Sequence, residues 1–351
     1  MSDDDRVGAP GGEPLPWLPL PPWHEETLAA ALERRATWPH ALLLHGRAGI
    51  GKEALALAFA QALLCETPRA DGRACGECPS CRYAIAGQHP DLMRVTQVSF
   101  DDDGAPVWKE TIGVDRIRDV TAFTQLTAHR QRAKVVVIAP AERMNANAAN
   151  ALLKTLEEPP PATYLLLVAA APGRLPATIV SRCRKLPVAI PAPAAVVPWL
   201  VEQGLAEPAL ALAQAGGAPF AALAYADAGW QGERRAWLAA LADPARLPVL
   251  ATAARIDAGG KDARRARLAQ ALDLLLGWAA DLARVASGAA PRVHPDCVAV
   301  LDRLAPRVAP LPLFRYHRAL LRQRALLAHP LQPRLVAEAM LLDYRALFAP
   351  A

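Results

Sequence analysis

The chain has 351 residues, 53% hydrophobic and 21% charged, which suits a soluble globular protein of two or three domains with a sizeable core. No apolar run reaches the ~18 residues of a membrane span; the longest candidate, ALALAFAQALLC at 54–65, is short and carries Gln61. A net charge of +5 permits an anionic partner without demanding one, and the rarity of lysine, 6 of 39 basic residues, reads as compositional bias and not as function.

The first residues, MSDDDRVGAPGGEPLP, are acidic and rich in Pro and Gly. They lack the basic start and apolar stretch of a signal peptide, so a flexible leader (1–14) on a cytoplasmic chain is expected. HEETLAAALERRA (24–36) reads as an amphipathic helix. ALLLHG (41–46) reads as a short buried strand, and KEALALAFAQALL (52–64) as a helix. Between them runs GRAGIGKE, residues 46–53. Gly46, Gly51 and Lys52 fit the phosphate-loop pattern G-x-x-x-x-G-K-[ST], with Gly49 inside it, but Glu53 stands where Ser or Thr is required. In an intact site backbone N–H groups cradle the phosphates, Lys reaches the terminal ones and the hydroxyl holds Mg²⁺. The Glu53 carboxylate is longer and anionic, and it would repel a triphosphate.

Six cysteines follow at 65, 75, 78, 81, 183 and 297. The first four cluster as C-x9-C-x2-C-x2-C, the number of thiolates a closed tetrahedral zinc site needs, and without an export signal metal is favoured over disulfides. Structural zinc on Cys65, Cys75, Cys78 and Cys81 is therefore expected, with reduced free cysteines as the alternative. His89 is read as a turn residue and not a fifth ligand. HPDLMRV (89–95) reads as a strand, VDRIRDVTAFTQLT (114–127) as a helix, KVVVIAPA (134–141) as a strand, 147–157 as a helix stopped by Pro159–Pro161, and TYLLLVAAAP (163–172) as a strand. Strands alternating with helices imply a mostly parallel sheet covered on both faces. A nucleotide-hydrolysing site also needs an acidic pair at the end of a neighbouring strand. KVVVI is followed by Ala139 and Pro140, which neither bind metal nor act as a base, and Glu142 is displaced from that place. After Lys185, the Pro-rich LPVAIPAPAAVVPWL reads as a linker into Ala/Leu/Arg-rich helical sequence. The RR and RAR run at 264–267 reads as a solvated helical face.

Two stretches, NALLKTLEEPP (150–160) and LPATIVSRC (175–183), in this order and spacing, resemble bacterial clamp-loader subunits of the AAA+ class; IGVDRIRDVT (112–121) and PWLPLPPW fit as well. The resemblance covers about residues 15–187. It implies an AAA+ α/β domain (15–187) with a zinc-knot insertion at 65–81, a small helical lid domain (188–228) and a helical collar domain for oligomerisation (229–351). The motor members, gamma and tau, carry an intact loop and an acidic pair. This chain also has Ala170 where a sensor Thr is usual and no Arg in AGGAPFAALA (215–224), so it resembles the member that does not hydrolyse ATP. ATP and Mg²⁺ in its own site are doubtful. The family further implies that Arg182 of SRC acts in trans, as an arginine finger on the ATP site of a neighbouring gamma/tau subunit; the plainer alternative is a salt bridge at a strand end. Implied partners are gamma/tau and delta in a hetero-pentamer, with the sliding clamp and primer–template DNA reached through the complex. The rival readings are an ATP-hydrolysing motor subunit and a zinc-containing DNA-binding protein.

Overall fold

The computed structural model describes residues 16–349 except 101–105, 131, 226–227 and 330–331. The expected leader at 1–14 lies outside the described residues. The chain divides into two compact units, Met1–Val196 and Val197–Ala351.

In the first unit, α1 (Glu25–Leu32) precedes β1 (Ala41–His45), and the glycine loop leads into α2 (Lys52–Leu64). The cysteine segment contains α3 (Pro79–Ile85). Then come β2 (Leu92–Val95), a hairpin of β3 (Val98–Phe100) and β4 (Pro106–Trp108), α4 (Val114–Gln125), β5 (Lys134–Ile138), α5 (Ala146–Glu157), β6 (Thr163–Ala169), α6 (Ala177–Val180) and β7 (Arg184–Pro187). Five strands make one parallel sheet in the order β2-β5-β6-β1-β7. The runs LLL, VVVI and LLLV are buried throughout, as strands covered on both faces must be. Val136, Ile138, Leu165 and Leu167 pack one way, on Ile117 and Val120 of α4 and Leu152 and Leu156 of α5. The alternating residues face the other way, where α2 packs on β1, β5 and β6.

Two expectations are corrected. The linker read after Lys185 begins as structure: β7 runs to Pro187 beside β1, Val188 N–H donates to His45 O (2.8 Å), and Pro193 opens a helix, α7 (Pro193–Glu202). Proline is tolerated in a helix's first turn, where its missing N–H costs no bond. The strand read over 89–95 starts only at Leu92, because His89 Nδ1 accepts from Asp91 N–H and bends the chain there. The hairpin β3–β4 was not anticipated.

The second unit is helical: α8 (Pro208–Gln214), α9 (Pro219–Tyr225), α10 (Ala228–Leu241), α11 (Val249–Ala254), α12 (Lys261–Ala286), α13 (Val298–Leu304), α14 (Pro310–Ala325) and α15 (Pro333–Ala346). Its core closes on Trp278, whose Nε1–H donates to Tyr344 Oη (3.0 Å); that hydroxyl donates to Leu241 O (2.9 Å). The buried Asp281 carboxylate accepts from the backbone N–H groups of Arg292, Val293 and His294, pinning the loop after α12. Arg264 and Arg265 lie exposed on α12, as expected of that run.

Candidate functional site

The glycine loop leaves the carboxyl end of β1 between β6 and β7, in the kind of crevice where open α/β sheets take ligands. Its glycines are required sterically. A Cβ on Gly46 would lie 2.3 Å from Val188 O, and Gly49 and Gly51 have φ of 75° and 92°. Gly51 caps α2. The loop is therefore built like a phosphate cradle, but its side chains are turned on one another. Lys52 is buried, and its Nζ donates to Arg47 O at 2.6 Å, across the loop it would otherwise extend from. Burial pulls its ammonium down to about 8, against an upward pull from the Glu142 carboxylate. Glu53 Oε1 accepts from Arg94 Nη2 of β2 at 2.9 Å, and Arg94 Nη1 donates to Pro16 O. The carboxylate in the metal-ligand position thus holds a guanidinium of the same molecule.

The remaining positions agree. Ala139 is buried at the end of β5 and offers no donor atom. Glu142 lies in a short 3₁₀ turn (Ala141–Arg143), and its Oε1 accepts from the N–H groups of Ala170 (2.8 Å) and Ala171 (3.1 Å). It closes the end of β6 and is held off the place of a water-polarising base. From outside, Trp23 Nε1–H (2.9 Å) and His24 Nε2–H (2.7 Å) both donate to Ile50 O. Burial lowers the His24 pKa, keeping the ring neutral for that role.

Arg182 sits just before β7 with its side chain 36% exposed. Nη2 pairs with Glu157 Oε1 at 2.5 Å, and Nη1 donates to Thr178 O at 2.9 Å. The ion pair at the strand end, the plainer of the two sequence readings, is present. It also ties α5 to the segment leading into β7. Cys183 beside it is buried, and burial pushes its thiol up to about 11, so it is inert.

Cys65, Cys75, Cys78 and Cys81 converge, their Sγ atoms all within 4.8 Å of one another. Separations of 3.6 Å (65–75), 3.9 Å (65–78) and 3.9 Å (75–81) match the edge of about 3.8 Å that four sulfurs at ~2.3 Å from one zinc would have. Cys65 ends α2 and Cys78 caps α3. Backbone N–H groups of Cys75, Glu77, Cys78 and Cys81 point at the sulfurs (3.3–3.4 Å). The Thr67 hydroxyl, then the N–H groups of Cys78 and Glu77, draw the Cys75 thiol down to about 6, whereas burial raises Cys65 and Cys81. The four thiols can hold one metal ion. His89 is not among them: its Nε2 meets Ser80 Oγ at 2.6 Å, and Ser80 donates to Leu64 O.

Sequence reading missed the anchor beneath this module. Asp91, fully buried, accepts from the N–H groups of His129 (2.9 Å) and Arg130 (3.0 Å) and pairs with the buried Lys134 Nζ (3.4 Å), which lies 4.1 Å from the centre of the Phe123 ring. Arg130 pairs with Glu66 and stacks on Tyr83 of α3. The signal available was an Asp directly before a strand and a Lys opening the next one.

Residues 24–191 match the family model described as "DNA polymerase III, delta subunit". The DNA polymerase III subunit delta' of Pseudomonas aeruginosa is 45% identical over 205 residues, 57% of this chain and 60% of that protein. The Escherichia coli subunit delta' is 39% identical over 220 residues, 61% of this chain and 63% of that protein. The match thus spans less than two thirds of either curated relative. DNA polymerase III subunit tau of Bacillus subtilis is 34% identical over 160 residues, 46% of this chain and 26% of that protein. Residues 24–191 of this chain, with the loop and the cysteine cluster they contain, are therefore similar in sequence to the delta-prime subunits of DNA polymerase III.

Proposed function

We propose that the chain is a non-hydrolysing, delta-prime-type subunit that helps a clamp loader place the sliding clamp on primer–template DNA. The observation that carries this reading is the self-paired loop. Where Mg²⁺ and a terminal phosphate would be held, Glu53 binds Arg94 and Lys52 binds Arg47 O. With Ala139 and Pro140 in place of the acidic pair, the hydrolytic machinery has no metal ligand and no base. The motor-subunit reading finds no support in this geometry.

Within the assembly Arg182 acts in trans. Its partner Glu157 is half exposed, and such pairs are worth only about 0–1 kcal/mol, so a neighbour's γ-phosphate displaces the carboxylate at little cost. The cysteine module holds structural zinc, its closed thiolate shell leaving no open position for catalysis. Residues 188–228 serve as the lid and 229–351 as the collar that contacts gamma/tau and delta. In support of the last role, α14 exposes Leu311, Phe314 and Leu321 along one face together with Arg315, Arg318 and Arg322, opposite its buried Leu313, Tyr316 and Leu320. An apolar stripe of this kind on a soluble helix marks a contact surface.

Steady-state ATP hydrolysis tests the reading, with the chain alone and reconstituted with gamma/tau, delta, clamp and primed DNA. The chain alone should show no turnover, and Arg182→Ala should lower the assembly's rate by tenfold or more at the site it completes. Turnover by the isolated chain would reinstate the motor reading. An unchanged assembly rate with Arg182→Ala would remove the finger and leave the scaffold.

A further inference from the structure

At the edge of the sheet away from β2, α1 crosses above β1 and β7 and leaves a cleft of 260 Å³. The cleft exists because the residues α1 turns toward it are small. Ala30 and Ala31 occupy the face where larger side chains would have filled the space. Its walls are Leu42, Leu186 and the ring of Trp38. That ring is fixed on both sides: Nε1–H donates to Ala31 O (2.8 Å), and the indole packs edge-on against Phe59, 5.1 Å between centroids. The rim carries Arg34 and Arg184, both exposed, and neither has an acidic partner among the described residues. Lys185 follows Arg184 onto the opposite face of the sheet, with its register partner Leu43. Two cations without carboxylate partners thus flank a preformed apolar hollow.

We propose that this cleft is a docking site for an acidic peptide segment of a partner protein, one apolar side chain entering between Trp38 and Leu186 while flanking Asp or Glu residues meet Arg34 and Arg184. The charge of the rim selects an anionic occupant. The volume lies below the ~300–1,000 Å³ of pockets that enclose drug-sized ligands and suits one side chain. Fixed apolar pockets of that size, ringed by polar contacts, are what concentrate binding energy in protein interfaces. A nucleic-acid strand is disfavoured because it is bound by cations spread along a track with aromatic faces in series, whereas these two flank a single hollow. Strand addition along β7 is also poor, since Pro187 has no N–H to give. Recognition therefore rests on side chains. None of this depends on whether Arg182 acts in trans.

The test uses the full chain, ¹⁵N-labelled at tryptophan, with the Trp38 indole N–H assigned by Trp38→Phe. The probes are an acetylated, amidated Glu-Asp-Leu-Glu-Asp peptide, its Leu-to-Ser analogue and a twelve-residue oligothymidylate. The acidic peptide should shift the Trp38 resonance saturably at low salt. The shift should need about tenfold more peptide for the Ser analogue and for the double variant Arg34→Glu/Arg184→Glu, and should weaken with added salt. Because both cations are exposed, these variants keep the fold, which the unchanged resonances of Trp237 and Trp278 in the other unit would verify. No saturable shift, or a shift indifferent to the charge reversals, would overturn the site. A larger response to the oligonucleotide than to the peptide would overturn the occupant.

Discussion

Lys52 is a phosphate-loop lysine whose bonds are already made. Its ammonium is buried against Arg47 O with a pKa near 8, below the ~10.4 of a free lysine. Between those two values the unfolded chain holds a proton that the folded chain has released, so stability must rise with pH across that interval. Below pH 8 both states are protonated and the term is flat. Urea midpoints of the wild type relative to Lys52→Met, taken from pH 7 to 10, should diverge in favour of the wild type above pH 8, by about 1–3 kcal/mol at the top of the range. A pH-independent difference would mean that the ammonium is solvated. The sequence carried half of this. Glu53, taken together with Ala139 and Pro140, pointed to a lost metal site, but Arg94, 41 residues beyond Glu53, could not be joined to it by any local pattern, because their pairing is made by the sheet order. At Arg182 a salt bridge at the strand end was among the sequence readings, but its partner Glu157 was out of reach, because that contact depends on how α5 meets the segment leading into β7.

Among the elements, β2 and β5 show how a buried charge can be more consequential than the motif beside it. Asp91 and Lys134 are 0% and 3% exposed and face each other at 3.4 Å, with two loop N–H groups completing the carboxylate's shell. Removing one partner strands a charge, which costs about 3–5 kcal/mol, whereas replacing both with apolar residues is often neutral. Lys134→Met should therefore lower the unfolding free energy by that amount in urea, and Asp91→Leu/Lys134→Met should recover much of it, unless the N–H groups of His129 and Arg130, orphaned in the double variant, cancel the gain. A small loss for the single variant would show water reaching the pair. The strands themselves were readable because parallel strands covered on both faces are continuous apolar runs. The β3–β4 hairpin was not, since VSF and PVW are too short to display any period, and the first residues of β7 were hidden by the prolines that follow.

For the molecule as a whole, the two units pose different problems. The first is recognisable residue by residue, through NALLKTLEEPP and SRC. The second was legible only as helical, because helical periodicity specifies a buried face but not its partner, and contacts such as Trp278 with Tyr344 join residues 66 positions apart. If the exposed face of α14 is a subunit contact, Phe314→Glu should reduce co-elution with gamma/tau and delta in size-exclusion chromatography and leave the melting temperature of the free chain within a degree or two. Loss of the fold instead would assign Phe314 to the core of its own unit, against its 60% exposure.

The two hydrogen bonds that Trp23 and His24 make to Ile50 O bear on motion more than on binding. Both lone pairs of that carbonyl are engaged by side chains from the segment ahead of the sheet, so the peptide plane joining Ile50 to Gly51 cannot flip without breaking two bonds at once. A loop that reports on its contents has to rearrange when they change. This one is clamped from behind, so any rearrangement of its backbone at Ile50 has first to release two side chains that belong to a different part of the chain.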